Sequence, residues 1–262
     1  MRRSARSIAI LASVALLAGA CQTTGPEPTP GLTLDASPVA SASGSDAPEA
    51  TVGRTAVPGF EDWETINPQA VRISLDAPAA DGEEPALTME LIGSRLWFNT
   101  ERGVLFGKDV TGDFRATATV RTSKRSDADT PPGGDGSIQL AGLMAHATGP
   151  IENYVFIVIG SIGQSTGVET KTTTAGHSIW VQRGPITNGA ADLRLCRSGR
   201  VFTLWWRAAG SSGDWTLQST FEREDLAETL SVGPNIYTDG APDITARFEA
   251  LAIEALQPGE GC

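Results

Sequence analysis

Short stretches of alternating apolar and polar residues, separated by glycine, proline, asparagine or aspartate, recur from residue 71 to residue 256. In the clearest one, four apolar residues alternate with four polar ones: Phe114, Ala116, Ala118 and Val120 against Arg115, Thr117, Thr119 and Arg121. A period of two puts one set on each face of a β-strand. Many such segments without strand–helix alternation predict an all-β, two-sheet antiparallel jelly-roll sandwich.

The predicted strands cover residues 71–75, 87–92, 95–98, 113–122, 138–146, 153–159, 167–173, 178–182, 191–197, 200–207, 214–220, 230–237 and 243–256. In the last strand, Ile244, Ala246 and Phe248 share a phase that Leu251 and Ile253 break, which predicts a one-residue β-bulge. Residues 222–229 are the one segment with a helical pattern. We expect them to form a short turn of helix at one end of the sandwich.

Composition and charge narrow the possible partners. The chain has 262 residues and a net charge of -11. An acidic chain repels the phosphate backbone, so nucleic acid is not an expected partner. The 29 glycines and 16 prolines, against three methionines, favour short strands and tight turns over helices.

The amino terminus has the features of an export signal. Arg2, Arg3 and Arg6 precede an apolar run from Ile8 to Ala20, which is too short to cross about 30 Å of hydrocarbon as a helix. Residues 16–21, LLAGAC, resemble a bacterial lipobox, which implies that Cys21 is acylated. The alternative is an ordinary secretory signal with a coincidental cysteine.

This interpretation predicts a location and a domain order. Residue 22 is glutamine rather than aspartate, which in the lipoprotein sorting rule implies the outer membrane of a cell that has one. We expect a signal peptide at 1–20, a disordered tether rich in Pro, Ser, Thr and Ala at 21–56, a sandwich at 57–256 and a tail at 257–262. The tether contains no aromatic residue and cannot bury enough apolar surface to fold.

Several segments occur in the order of a known family: FGKDVTGDFRATATVR, QLAGLMAH, ENYVFIVIG, VETKTT, DLRLCRSGRVFTLWWRAAGSSGDW, LSVGPNIYTDG and ITARFEALAI. They resemble a domain of unknown function in the concanavalin-A-like lectin/glucanase superfamily, similar to the carboxy-terminal sandwich of some bacterial β-xylosidases. The resemblance covers about residues 95–256. It implies the fold and says almost nothing about chemistry, because fold does not fix function.

Motifs for catalysis are missing from the sequence. The superfamily's hydrolases carry a Glu-x-Asp-x-x-Glu cluster on one strand, which sets two carboxylates at the separation that a retaining mechanism needs, and this chain has none. The two histidines, His146 and His177, fall on different predicted elements and lack zinc spacing. A glycan hydrolase or lyase therefore requires an unrecognised site.

One sheet face offers a candidate glycan site. If the alternate apolar residues point into the core, the outward set is Trp205, Arg194, Arg207, Glu169, Lys171 and His146, with Trp180 at the rim. An indole packs on the apolar face of a sugar ring while charged groups bind its hydroxyls. The alternative is that the tryptophans belong to the core and the charges only solvate the sheet.

Two weaker features concern metal and sulfur. Asp127, Asp129 and Asp135 lie in a Gly/Pro-rich loop and offer oxygen ligands for calcium, although such loops contain aspartate in any case. After acylation of Cys21, the remaining thiols are Cys196 and Cys262. They either pair, closing a loop worth about 4 kcal/mol, or the terminal cysteine stays free.

Together these features predict an envelope lipoprotein that displays a noncatalytic, glycan-binding sandwich. The expected partners are a membrane, through the lipid anchor, and a polysaccharide. No cofactor is expected apart from the calcium candidate. The alternatives are an envelope protein–protein interaction module and a glycan hydrolase or lyase.

Overall fold

The protein is described here by a computed structural model, whose described residues are 50–78, 85–183, 186, 189–257 and 260–262. The fold is a sandwich of two antiparallel sheets, as the alternating pattern predicts. The eight-stranded sheet has the order β1-β2-β5-β14-β7-β8-β9-β10, and the seven-stranded sheet has the order β13-β12-β11-β6-β15-β4-β3. None of the helices among the described residues has the length and apolar character to cross a membrane.

The strands are β1 Val52–Gly53, β2 Glu64–Ile66, β3 Val71–Asp76, β4 Ala86–Leu91, β5 Val104–Thr111, β6 Phe114–Ser123, β7 Ile138–His146, β8 Tyr154–Ile162, β9 Ser165–Thr174, β10 His177–Arg183, β11 Ala190–Ser198, β12 Val201–Ala208, β13 Thr216–Glu222, β14 Thr229–Thr238 and β15 Thr245–Ala255. A single 3-10 turn, Pro68–Ala70, precedes β3. The sandwich thus begins at Val52, before the predicted boundary at residue 57.

The main core lies between the two sheets. It is built from the inward residues of both, among them Phe106, Val120, Ile157, Leu193 and Phe248, each at most 1% exposed. A second apolar cluster lies on the outer face of the eight-stranded sheet, and its members are Ile66, Trp97, Leu105, Leu140, Met144, Tyr154, Phe156, Val158 and Tyr237. The outer face of that sheet is therefore covered by other parts of the chain.

The predicted bulge in the last strand is confirmed. In β15 the register against β6 shifts between Glu249, which pairs with Thr119, and Ala252, which pairs with Thr117. Ala250 takes the left-handed conformation, with φ at 48°. The extra residue keeps Phe248 and Ile253 packed on the same core despite the change in sequence phase.

Two local predictions are wrong, and strands β1, β2 and β5 were not predicted. Residues 95–98 form no strand and belong instead to a segment that crosses the outer face of the eight-stranded sheet. Residues 222–229 are not helical, because Arg223 turns inward and donates to the carbonyl oxygens of Tyr154 and Thr173. The strand β5, Val104–Thr111, had not been predicted; its outer residues include Gly107 and Asp109, which weaken the alternating pattern.

Candidate functional site

Part of the predicted glycan site forms on the outer face of the seven-stranded sheet. Leu193, Leu195, Phe202 and Leu204 point into the core, so Arg194 on β11 and Trp205 and Arg207 on β12 point outward. The structure adds Trp215, from the loop before β13, which sequence reasoning had not selected. Arg194, Trp205, Arg207 and Trp215 are called the tryptophan–arginine patch below.

Stacking organises this patch. The guanidinium carbon of Arg194 lies 4.1 Å from the centroid of the Trp215 ring, and that of Arg207 lies 4.6 Å from it. Arg207 also donates to the Asp192 carboxylate, with 2.8 Å between Nε and Oδ2. Stacking on an indole uses the face of a guanidinium and leaves its in-plane N–H groups free to donate.

Two donors in the patch have no partner. Nε of Arg194 and Nε1 of Trp205 are buried atoms, and neither has a hydrogen-bond acceptor among the described residues. The two residues are direct cross-strand neighbours. A buried donor without an acceptor costs free energy. Both atoms are closed to solvent in this structure, so an oxygen-bearing ligand would satisfy them only after neighbouring side chains move.

The other four predicted site residues lie elsewhere. His146, Glu169, Lys171 and Trp180 are on β7, β9 and β10 of the eight-stranded sheet. The prediction of one shared patch is therefore wrong. Alternation in the sequence fixes whether a side chain points in or out, but it does not tell which of the two sheets a strand joins.

Glu169 and Lys171 bind each other and their neighbours. Oε1 of Glu169 accepts from the hydroxyl of Tyr237 at 2.8 Å and lies 3.2 Å from Nζ of Lys171, while Oε2 accepts from Nε2 of Gln182 at 2.7 Å. Glu169 is 2% exposed and Lys171 is 4% exposed. Burial lowers the pKa of the Lys171 ammonium. These groups are occupied inside the protein and do not face a ligand.

Residues 92–103, called the covering segment below, lie over the Glu169–Lys171 cluster and bury it. Nζ of Lys171 donates to the carbonyl oxygen of Trp97 at 2.7 Å. Asn99 exchanges two hydrogen bonds with Ser178. The segment thereby lies against β9 and β10, and its Trp97 side chain is fully buried.

His146 belongs to a second buried network at the end of the covering segment. Its Nε2 lies 3.0 Å from Oε2 of Glu152, and Glu152 also pairs with Arg102. Beside this network is a cleft of about 250 Å³, lined by side chains of both charges that include Glu64, Asp109 and Arg102. Both buried carboxylates are held in ion pairs, Glu152 with Arg102 and Glu169 with Lys171.

The calcium candidates do not converge. Asp127 accepts from the backbone of Asp129 and from the hydroxyl of Thr130, and Asp135 accepts from the backbone and hydroxyl of Ser137. These bonds lower the pKa values of Asp127 and Asp135. No three His, Cys, Asp or Glu side chains of the described ranges gather in a way that could hold a metal ion.

The two remaining cysteines are joined. Cys196, on the outer phase of β11 two residues from Arg194, forms a disulfide with Cys262, with 6.0 Å between the Cα atoms. This is the paired alternative of the sequence analysis, and it fixes the carboxy-terminal residues to the outer face of the seven-stranded sheet. Cys21 and the predicted signal and tether up to residue 49 lie outside the described residues.

No family model matches the chain, and no curated protein matches it. Among solved structures, 102 chains match. A functionally unknown protein from Saccharomyces cerevisiae has a TM-score of 0.55 at 17% identity, over 72% of this chain and 98% of its own. A mutant of the GH43 protein BlXynB from Bacillus licheniformis has a TM-score of 0.50 at 13% identity, over 74% of this chain and 37% of its own.

A third match is the carbohydrate binding module CBM66 from Bacillus subtilis, with a TM-score of 0.43 at 13% identity, over 74% of this chain and 96% of that module. At these identities the likeness concerns the fold alone. The described residues form a two-sheet antiparallel sandwich, and the expected resemblance to part of a GH43 protein is confirmed at the level of fold.

Proposed function

We propose that the sandwich is a noncatalytic glycan-binding domain whose ligand lies over the tryptophan–arginine patch. The proposal includes the expected lipid anchor at Cys21 and display from the cell envelope. The observation that carries the binding site is the pair of unmet donors, Nε of Arg194 and Nε1 of Trp205, beside the Trp215 ring.

A sugar supplies the hydrogen-bond acceptors that the Arg194 and Trp205 donors lack. Its hydroxyl and ring oxygens accept hydrogen bonds, and its C–H faces pack against an indole. The similarity in fold to the GH43 protein BlXynB is compatible with this role and does not identify the ligand.

The buried acids argue for binding rather than hydrolysis. Glycoside hydrolysis uses two carboxyl groups about 5 to 9 Å apart, one of them available as an acid. The buried carboxylates Glu152, Glu169 and Asp192 are each in an ion pair with a neighbouring cationic side chain. These three ion pairs support a binding role in the proposal.

Electrophoresis of the full chain through gels that contain single polysaccharides tests the proposal. We expect Trp215→Ala to abolish the retardation of the wild-type protein while the melting temperature moves by only a few degrees, because Trp215 lies outside the core. Trp180→Ala, which removes a 49% exposed tryptophan from the other sheet, is the matched control and should be retarded like the wild type.

Trp205→Phe covers the case in which Trp215→Ala unfolds. It keeps a six-membered aromatic ring and removes the pyrrole ring with its N–H, so we expect weaker retardation from a folded protein. Wild-type protein that no polysaccharide retards, or variants at Trp205 and Trp215 that are retarded fully, would contradict the proposal and favour an interaction module.

A further inference from the structure

The tryptophan–arginine patch holds a guanidinium without a counter-charge. No carboxylate of the residues that the structure describes lies within ion-pair distance of Arg194, whereas Arg207 pairs with Asp192 and Arg115 pairs with Glu254. Arg115 is a close neighbour, because it lies opposite Cys196, two residues along β11 from Arg194. Burial first, and then the charges of Arg115 and Arg207, lower the pKa of Arg194.

Such an arrangement costs free energy in the free protein. Like charges close together repel, and desolvation disfavours a guanidinium, while stacking on Trp215 offsets only part of the cost. An oxyanion placed beside Arg194 would relieve both effects. A planar guanidinium presents its N–H groups in a fork that fits a carboxylate or a sulfate through two bonds, and the free N–H of Trp205 lies on the neighbouring strand.

The same sheet face offers more cations along the strand direction. Arg121 on β6 lies directly opposite Arg247 on β15, and both line a hollow of about 440 Å³. Arg121 is four residues from Thr117, the residue opposite Arg194, which is about 14 Å along a strand. These two arginines share Glu249, and Nε of Arg247 also lies 3.8 Å from Oδ2 of Asp76.

We infer that the ligand of the tryptophan–arginine patch is an acidic glycan, whose carboxylate or sulfate groups pair with Arg194 and whose chain extends toward Arg121 and Arg247. This inference rests on the proposed function and narrows its ligand class. The net charge of -11 makes unspecific attraction of a polyanion unfavourable, so binding of one would depend on these local contacts.

Calorimetric titration of the full chain with two matched pairs of polymers tests the inference. The first pair is polygalacturonate and its fully methyl-esterified form, and the second is dextran sulfate and dextran. We expect binding to at least one charged member and much weaker binding to its neutral partner. Carboxylate and sulfate are distinguished by which charged member binds.

Variants test whether Arg194 makes the contact with the acidic group of the polymer. Loss of a charge-assisted hydrogen bond weakens binding by about 10- to 100-fold, and we expect that loss for Arg194→Gln. Arg194→Lys keeps the positive charge but not the forked N–H groups, so its affinity should lie between those of Arg194→Gln and the wild type. Arg72→Gln removes an exposed arginine from β3, the opposite edge of the same sheet, and changes the net charge equally. It should bind like the wild type.

The outcomes separate this inference from the proposed function. If the charged and neutral polymers bind with equal affinity, and Arg194→Gln does not change it, the inference of an acidic ligand is wrong. The proposed glycan binding would not be contradicted by that result. If the protein binds none of the four polymers and none of the polysaccharides of the gel experiment, both the inference and the proposed function are contradicted. Equal losses for Arg194→Gln and Arg72→Gln would mean that net charge, rather than the patch, governs binding.

Discussion

Both tyrosines of the chain, Tyr154 and Tyr237, lie in the cluster on the outer face of the eight-stranded sheet. Burial raises the pKa of Tyr154 to about 12 and that of Tyr237 well above its ordinary value. Glu169, whose carboxylate accepts from the Tyr237 hydroxyl, adds to the rise because its charge disfavours a second anion. The phenols of the folded protein therefore stay protonated where those of an unfolded chain ionise.

This difference predicts a loss of stability at alkaline pH. The tyrosines contribute stability in full below about pH 10, and it is lost as pH rises toward about 12, at up to about 1.4 kcal/mol per pH unit for each group. Tyrosinate absorbance, followed with circular dichroism, should appear only when the protein unfolds. The chain in concentrated urea, as control, should titrate near pH 10. Ionisation of either tyrosine near pH 10 with the fold intact would contradict the prediction.

The residue-level assignments that failed have a common physical cause. Outward orientation follows from alternation and is correct for Arg194, Trp205, Glu169 and Lys171. Membership of a sheet depends on strand order, which long-range packing decides. Trp215 shows a different limit, because the strand predicted at 214–220 begins only at Thr216, which leaves Trp215 in a loop where the period-two pattern does not give its direction. The run GSSGDW signalled only a turn before an aromatic residue.

At the scale of elements, the bulge in β15 predicts that two alanine-to-glycine substitutions in one strand have different effects on the free energy of unfolding. Ala250 has a positive φ, which costs an L-residue about 1 to 2 kcal/mol, whereas glycine takes that conformation freely. We expect Ala250→Gly to leave the free energy of unfolding unchanged or to raise it by up to about 1 kcal/mol. Ala252→Gly, after the bulge, should lower it by about 0.5 to 1 kcal/mol.

Equilibrium unfolding in urea measures both changes. The comparison is internal, since each variant replaces alanine by glycine in the same strand two residues apart. Equal destabilisation by the two substitutions would show that the backbone at residue 250 is not strained in solution.

Elements with strong alternation were predictable from the sequence, and elements held by tertiary contacts were not. The alternation of apolar and polar residues predicts the strand Phe114–Ser123 directly, and the change in the phase of that alternation predicts the bulge in β15. The covering segment has the composition of a strand at residues 95–98, yet the Trp97 carbonyl that a ladder would use accepts from Lys171 instead. Residues 222–229 have helical spacing, but Arg223 forms five hydrogen bonds with β8, β9 and Asp225 that a helix would not permit.

At the scale of the whole molecule, the disulfide links distant parts of the chain. Cys196 and Cys262 are separated by 66 residues, and cross-linking a loop of that length removes conformational freedom worth about 4 kcal/mol from the unfolded chain. We expect Cys262→Ser to lower the free energy of unfolding by up to that amount. Urea titration measures the change, and reduction of the wild type should reproduce it. Equal stability of the oxidised wild type and Cys262→Ser would mean that the bridge constrains little.

The strand order also places the patch relative to the first described strand. Strand β1 is an edge of the eight-stranded sheet, while β13 and the patch lie toward the other edge, where Ser219 bonds Thr170 of β9 across the sandwich. Arg194 and Trp215 therefore lie on the side of the sandwich away from β1. A long polymer that runs across the patch would leave the β1 edge uncovered.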